Sequence, residues 1–515
     1  NDWQEIEPPE ALPYAWSGVT RWIDWRLFWQ DAFANFAGWQ HDLINHFDPD
    51  HPTSVNTFNF KSHDRFGTFM GLDQWKIAQR VDHIGYDLYP GSGDKLKTRS
   101  EHNSIFLDHG RSVSRSAGSD FWLHEMESGP INGWVLGPDH NTGPDDILRN
   151  GIEALGHDVK LGIYMPWREW DYQPLRWGAL VDLDGQTTPR YDAAAEFGHF
   201  LQAHADFLLD AHVPRGEVAI LDSKPNAIFF RGVDQEHPLF QAQRGAYRAF
   251  WELGYRVDFV TPEQLLQGAA EGRKAVVLPL VALLDTDVAR ALRDFVARGG
   301  LLVGFARCAT LDRRGWYHHP LPIPVLQQIF GLRSVTADDR ADDPVMFGGQ
   351  TYAGHMKRDL VQPDTTTEVL GTFPDGQPAV TLAQHGNGHG LYFATQADVG
   401  YVETEQPLLR PVLRSVLRRL QIAPEMRLHY PGEQRKLDPH LLRYQDRDMI
   451  FIANYLKNRV DATLQLAAKR PVVEVQQIWP NESALFSDVN NGMLQFDLSF
   501  EQQGKGGVFQ ITWQS

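Results

Sequence analysis

Cysteine is almost missing from this chain: its 515 residues include one, Cys308. A single thiol excludes an internal disulfide framework and any zinc site built from several cysteines. Long apolar runs are also missing. None reaches the roughly 18 residues that a membrane-crossing helix needs. Positive charge is short: 48 Lys and Arg face 66 Asp and Glu, a formal net charge of −18. That balance argues against nucleic acid and against an anionic membrane surface as partners. The sequence shows no glycine loop for nucleotide phosphates, no Ser-His-Asp elbow, no internal repeat and no low-complexity linker. The histidines carry no metal pattern. His318-His319 precedes a proline in an expected loop, and His385 with His389 lies in an expected Gly-rich turn. Neither pair has a carboxylate or cysteine at ligand spacing. No metal and no cofactor is expected.

What the chain does have is tryptophan, unevenly spread. Twelve of its sixteen tryptophans fall between Trp3 and Trp177. Most large aromatics serve cores, but sugar sites also use them, because axial C–H groups pack on π faces. The skew places a candidate site in the first part of the chain. One stretch there stands out, Phe121-Trp122-Leu123-His124-Glu125-Met126-Glu127-Ser128-Gly129-Pro130, followed by Asn132 and Trp134. An apolar, strand-like start delivers a carboxylate, and a Gly-Pro turn opens space beside it. Catalytic residues cluster on loops after strands. The plain alternative is an acidic strand-to-loop junction of the kind any α/β protein contains.

Flanking segments repeat the theme. Asp82-His83-Ile84-Gly85-Tyr86-Asp87-Leu88-Tyr89-Pro90 lies upstream. Tyr164-Met165-Pro166-Trp167-Arg168 and Gly178-Ala179-Leu180-Val181-Asp182-Leu183-Asp184-Gly185 lie downstream, and Ile23-Asp24-Trp25-Arg26-Leu27-Phe28 lies near the start. In this order and spacing the segments resemble the family 42 glycoside hydrolases, the β-galactosidase family. The likeness runs through essentially the whole chain.

Periodicity divides the chain into three expected domains within an α/β multidomain fold. Residues 1–205 alternate strands (53–58, 83–88, 120–124, 159–164) with helices (70–80, 144–154), the pattern of a parallel sheet. Four such units suit the C-terminal half of a (β/α)8 TIM barrel. Residues 206–424 form a second α/β block, with strands expected at 218–221, 257–260, 274–280 and 301–305. The resemblance implies a flavodoxin-like domain there, associated with trimers. An acidic stretch, 336–343, reads as a solvated loop. Residues 425–515 switch to period two and suggest a small antiparallel β-sandwich, with Asn490-Asn491-Gly492 as a turn.

The resemblance implies a retaining glycosidase, which needs a nucleophile and an acid/base carboxyl about 5–5.5 Å apart. It assigns the nucleophile to Glu125, because Asn132 stands seven residues later as in the family. Glu127 fits that spacing poorly, although strand geometry alone would put it on the same face. Tyr89, Trp134 and Asn56 follow by position as substrate-contacting residues, each with packing or turn formation as the plain alternative. Gln173 and Arg176 occupy positions where the family has a Glu and a His that hold galactose hydroxyls, which puts galactose preference in question. The family's acid/base lies in an Asn-Glu pair. The only such pair here, Asn481-Glu482, falls in the expected sandwich. The expectation is therefore that the first barrel half is absent from this chain and is supplied by a complementary N-terminal fragment.

The leading reading is a retaining exo-glycosidase on terminal β-galactosides or a related β-glycoside, assembled as a homotrimer. The alternative is a non-catalytic carbohydrate-binding or assembly protein descended from that family. A third reading, an amidotransferase-like enzyme in the second block, would need a reactive Cys308, which lacks the flanking glycines of a nucleophile elbow. The compartment is not given by the sequence, with the cytoplasm favoured.

Overall fold

The structure is a computed structural model. It describes residues 7–9, 13, 18–58, 68–90, 100–130, 142–172, 175–233, 236–432, 435–456, 458–501 and 505–514. It begins with a long helix, α1 (Val19–Phe47), which carries no proline. Its buried residues, Val19, Trp22, Ile23, Arg26, Gln30, Ala34 and Ala37, recur at the three- and four-residue spacing of one helical face. Strand β1 (Ser54–Asn56) follows, then a short helix α2 (Gln74–Ala78). The sequence predicts a longer helix at 70–80. Gly71 takes a left-handed φ of 75° before it. The Asp73 carboxylate then accepts from the Trp75 backbone N–H at 3.0 Å, so the helix starts late.

Strands β2 (His83–Leu88), β3 (Phe121–Glu127) and β4 (Val159–Met165) alternate with helices α3 (Ser100–Ser116) and α4 (Pro144–Gly156). The four strands form one sheet in the order β1-β2-β3-β4, with every pair parallel. β3 runs three residues beyond its expected end and includes Glu125 and Glu127. Helix α3 covers one face. The Tyr86 hydroxyl meets His109 Nδ1 at 2.6 Å. Gly110 lies so close to the Phe121 ring that a Cβ would sit 2.2 Å from it. A two-stranded hairpin, β5 (Trp170–Tyr172) with β6 (Leu175–Trp177), leads to helices α5 (Pro189–Ala203) and α6 (Ala205–Leu208).

The second block contains strands β7 (Val218–Leu221), β8 (Val257–Val260), β9 (Ala275–Leu278) and β10 (Leu301–Gly304). Each is short and buried throughout, as expected of a parallel sheet covered on both faces. Helices α7 (Lys224–Gly232), α8 (Glu236–Glu252), α9 (Pro262–Leu266), α10 (Thr286–Ala297) and α11 (Pro324–Phe330) connect them or follow them. Strands β11 (Leu332–Ala337), β12 (Val345–Phe347), β13 (Gln350–Tyr352), β14 (Asp359–Pro363), β15 (Glu368–Thr372), β16 (Pro378–His385) and β17 (Gly388–Phe393) come next, then helices α12 (Ala397–Glu403) and α13 (Leu409–Arg419). The parallel strands lie in the order β8-β7-β9-β10-β17, which is 2-1-3-4-5 when numbered within the block. Beyond β17 the sheet continues antiparallel through β16, β15, β12 and β13. Two expectations change here. Thr336 and Ala337 belong to β11, which pairs with β14, so the surface loop begins later. The turn near His385 is only Gly386-Asn387, and His389 sits inside β17.

The third block is antiparallel. Strands β18 (Met426–His429), β21 (Val460–Ala467), β25 (Met493–Phe500) and β24 (Ser487–Asn490) form one sheet. Strands β19 (Leu437–Tyr444), β20 (Arg447–Asn454), β26 (Gly507–Trp513), β22 (Val472–Trp479) and β23 (Ser483–Ala484) form the other. Their inner faces share a core that includes Leu441, Ile450, Leu464, Leu494, Phe496, Phe509 and Ile511. Asn491 (φ 51°) and Gly492 (φ 75°) make the two-residue turn that joins Asn490 to Met493. Positive φ at both central positions is what a tight hairpin requires.

Contacts gather the chain into two compact units. One contains residues 1–39, 61–77 and 216–424. The other contains 40–60, 78–215 and 425–515. Within the latter, a core cluster joins Ile147, Leu148 and Ile152 of α4 and Phe200 of α5 to Leu442, Met449, Phe451 and Val508 of the third block. The third block thus packs against the helices that cover the four-stranded sheet.

Candidate active site

The two faces of the four-stranded sheet differ in kind. Tyr86, Phe121 and Leu123 point to the helix side and are buried. On the other face, His83 stacks on Trp122 with ring centroids 4.1 Å apart. Gly85 sits beneath the His124 ring, where a Cβ would fall 2.6 Å from the imidazole. Glycine is required at 85 for that approach.

β3 does not keep a simple period of two. Tyr86 pairs with Leu123, but Asp87 pairs with Glu125, leaving His124 as an extra residue. The β4 side agrees: Leu123 pairs with Gly162, and Met126 with Tyr164. A β-bulge of this kind re-aims side chains and is common beside active sites. Met126 packs against Gly162, while Glu125 turns to the face that carries Asp87. The bulge is what brings two carboxylates from neighbouring strands side by side.

Glu125 is half-buried. The Tyr89 hydroxyl donates a short hydrogen bond to its Oε2. Asn56 Nδ2 donates to Asp87 Oδ1 at 2.7 Å. Among the described residues neither Asp87 nor Glu125 pairs with a cation. The electrostatic consequences are legible. Burial and then the Glu125 charge push the Asp87 carboxyl up to about 6. Burial, the bond to Glu125 and its charge raise the Tyr89 phenol above its ordinary range, so it stays a donor. Burial lowers His124, which keeps that imidazole neutral beside Glu125. Glu127 is buried, and its charge also acts on Tyr89.

Aromatic rings frame these groups. Trp177 meets Tyr89 edge to face at 6.0 Å, and Trp170 lies 5.6 Å from Trp177. The turn after Glu127 is held tightly. Gly178 N–H donates to the Pro130 carbonyl at 2.9 Å. A Cβ at Gly129 would lie 2.4 Å from the Gly178 carbonyl carbon.

Of the residues singled out from sequence, the fold brings Glu125, Tyr89 and Asn56 together, with Asn56 acting through Asp87. Trp134 and Gln173 lie outside the described residues, as does Asn132. Arg176 lies in β6, with its side chain outside them. Sequence reasoning passed over Asp87, His124 and Trp177. Asp87 and His124 stood in the quoted segments and Trp177 directly before one, and their proximity to Glu125 comes from strand register and the β5–β6 hairpin. Elsewhere, Cys308 is buried, and burial, then Asp359 and Asp398, push its thiol up to about 12. A thiol so rarely ionised is a poor nucleophile.

Substitution at an anomeric carbon asks for a carboxylate free of cations, held by neutral donors at the open end of a strand. This sheet end supplies one, and by class the chain is a glycosidase. Residues 1–204 match a family model described as beta-galactosidase, and residues 217–423 match one described as the beta-galactosidase trimerisation domain. The chain belongs to the family 42 glycoside hydrolases. It is 25% identical over 499 residues to the beta-galactosidase GalA of Bacillus licheniformis, covering 91% of this chain and 68% of GalA. It is 26% identical over 427 residues to the beta-galactosidase Bga of Halorubrum lacusprofundi, covering 75% of this chain and 57% of Bga. The chain thus spans about two thirds or less of these relatives. A catalytic mutant of Gan42B, a family 42 beta-galactosidase from G. stearothermophilus, shares the fold at a TM-score of 0.81 and 20% identity, covering 100% of this chain and 71% of that one.

Proposed function

We propose that this chain carries the nucleophile of a retaining exo-β-galactosidase, with Glu125 in that role. The single observation behind this reading is the setting of Glu125: aimed by a bulge to the open face, bonded by Tyr89, paired with no cation among the described residues. In the first step a Glu125 oxygen bonds to the anomeric carbon while the glycosidic C–O bond breaks, and the departing oxygen takes a proton from the acid/base. Water then adds to the same carbon, gives its proton to that base and releases Glu125. Tyr89 holds the carboxylate in place, and Asp87, anchored by Asn56, fixes the negative field around it. Trp177, and Trp134 by position, offer π faces to the sugar. By alignment with the family, Gln173 and Arg176 would set the preference for one hydroxyl pattern over another.

The four parallel strands are read as half of a TIM barrel, and the 2-1-3-4-5 block as a flavodoxin-like domain that forms a homotrimer. Asp87 neighbours Glu125 on the same wall of the sheet, whereas an acid/base works from across the sugar. The second carboxyl is therefore assigned to polypeptide that completes the barrel, on this or another chain. Ile163, half exposed on β4, fits a sheet face that further polypeptide would cover.

Azide tests the assignment. Glu125→Ala should lose turnover of a nitrophenyl β-galactoside, and azide should restore it while giving the α-galactosyl azide. Azide enters from the side that Glu125 vacates, so the configuration inverts. A β-azide product would place Glu125 in the acid/base role instead. Full turnover without azide would remove it from the chemistry.

A further inference from the structure

A second cluster lies away from the carboxylate face, where α4 ends against the third block. His157 caps α4, while Asp438 and His440 stand two apart on β19 and so share one face of that strand. One ligand atom from each of the three lies within 4.8 Å of the other two. The His157 and His440 rings have centroids 3.9 Å apart. The approach is enforced by Gly156, where a Cβ would lie 2.8 Å from the Cβ of His440.

The polar atoms of this cluster are unevenly satisfied. His157 is fully buried. Its Nδ1 bonds Asp108 at 2.7 Å, so Nε2 is the atom it has to offer, and that atom has no hydrogen-bond partner. Nε2 of His440 is also buried and faces Asp438 Oδ2 at 3.0 Å. Leaving a buried polar atom unpaired costs about 1–3 kcal/mol. The unpaired Nε2 of His157, the His440 imidazole and the Asp438 carboxylate together make a donor set for a cation. The 3.0 Å edge between His440 and Asp438 is close to the ~3.3 Å that separates two ligands on one tetrahedral zinc.

The surroundings suit the same purpose. The Asp108 carboxylate behind His157 Nδ1 fixes the tautomer that leaves Nε2 as a lone pair, the carboxylate–histidine–metal arrangement. Arg435 holds Asp438 Oδ1 at 2.9 Å, and Ser104 donates to Oδ2 at 2.7 Å. The carboxylate is thereby oriented with Oδ2 toward the two rings.

We propose that His157, Asp438 and His440 bind one divalent transition-metal ion, zinc by ligand chemistry, as a structural centre that ties α4 to β19. Water completes the coordination. Imidazole and carboxylate donors select such an ion over calcium or magnesium. Two of the ligands lie on one strand and the third comes from far upstream, so no local spacing announces the site.

The test uses the full chain without a histidine tag. The chain is stripped with chelator, reloaded with zinc and separated from free metal by gel filtration. One zinc per chain is expected. Cobalt in its place should show the absorption bands of a four-coordinate centre. His440→Ala and Asp438→Asn should abolish both, and Asp108→Asn should weaken affinity by about 10–100-fold. The cobalt spectrum of the unaltered chain needs no variant to fold. Its failure to develop in a chain that is folded by circular dichroism would overturn the proposal. So would metal binding that is unchanged in folded His440→Ala.

Discussion

Two sheet ends in this molecule gather acids, and they handle them in opposite ways. At the end of the four-stranded sheet, Asp87 and Glu125 are met by an amide, a hydroxyl and each other. At the end of the nine-stranded sheet, the acids that Arg307 and Arg358 touch are each paired with a cation. Arg307 lies 2.9 Å from Asp359. Arg358, buried to 1% exposure, reaches Asp338, Asp343 and Asp375. There Arg358 holds Asp375 down to about 2 and Arg340 keeps Asp338 below the usual carboxylate range, while burial raises Asp359 in spite of Arg307. Here Asp87 is pushed up to about 6. Carboxylates neutralised by arginine brace a fold. Under the proposed function, a carboxylate held by neutral donors keeps its charge available to a reacting carbon, and Asp87 makes the fold less stable as it ionises.

The sharpest way to break this contrast is to exchange the two roles. Glu125→Gln should lower turnover by about 10⁴-fold or more, the scale seen when a covalent nucleophile is removed, and leave the melting temperature near that of the parent. Arg358→Ala should do the reverse. Removing one partner from a buried ion-pair group costs about 3–5 kcal/mol, while kcat of the folded fraction stays unchanged. If Arg358→Ala lost kcat and Glu125→Gln lost only stability, the assignment of the two ends would be inverted.

Tyr89→Phe removes a single donor and should cost about 10²-fold in kcat with little change in melting temperature. Steady-state rates alongside thermal melts separate the two effects. An unchanged kcat would show that the hydroxyl only packs.

Asp87 makes a smaller and signed prediction. Its folded value, about 6, lies above the ordinary aspartate value of 3.8, so the folded chain holds this proton more tightly than the unfolded one. Stability from this group is therefore present below the unfolded value and is lost as pH rises towards 6. Asp87→Asn should flatten that part of the stability–pH curve and melt higher than the parent at pH 7. Melts across pH 4–7 check it, and a variant with the parent's slope would contradict it. Smallest is Gly129→Ala, whose Cβ would press on the Gly178 backbone. It should destabilise by about 1–3 kcal/mol and read out in a urea titration.

The same contrast shows what was legible in the sequence. Strands around Asp87 and Glu125 could be read because they are short, apolar and separated by helical segments. The carboxylate could be read because a Gly-Pro turn follows it. The bulge at His124 could not, since it exists only as a mismatch of register with β2 and β4. Without it Asp87 stays a strand residue of no note. The outer strands of the antiparallel extension, β12 and β13, were missed because they are three residues each and carry one buried residue between them. They leave no buried periodicity to find. The arginine clusters and the histidine pair at 157 and 440 are products of tertiary approach, which local spacing does not encode.

The most direct measurement is covalent trapping. A 2-deoxy-2-fluoro-β-galactoside with a dinitrophenolate leaving group needs no proton at departure, so it reports the nucleophile by itself. Mass spectrometry of the digested, inactivated chain should find one fluorosugar per chain, on the peptide that contains Glu125. A label on a different carboxylate, or none on a chain that hydrolyses the parent galactoside, would contradict the account.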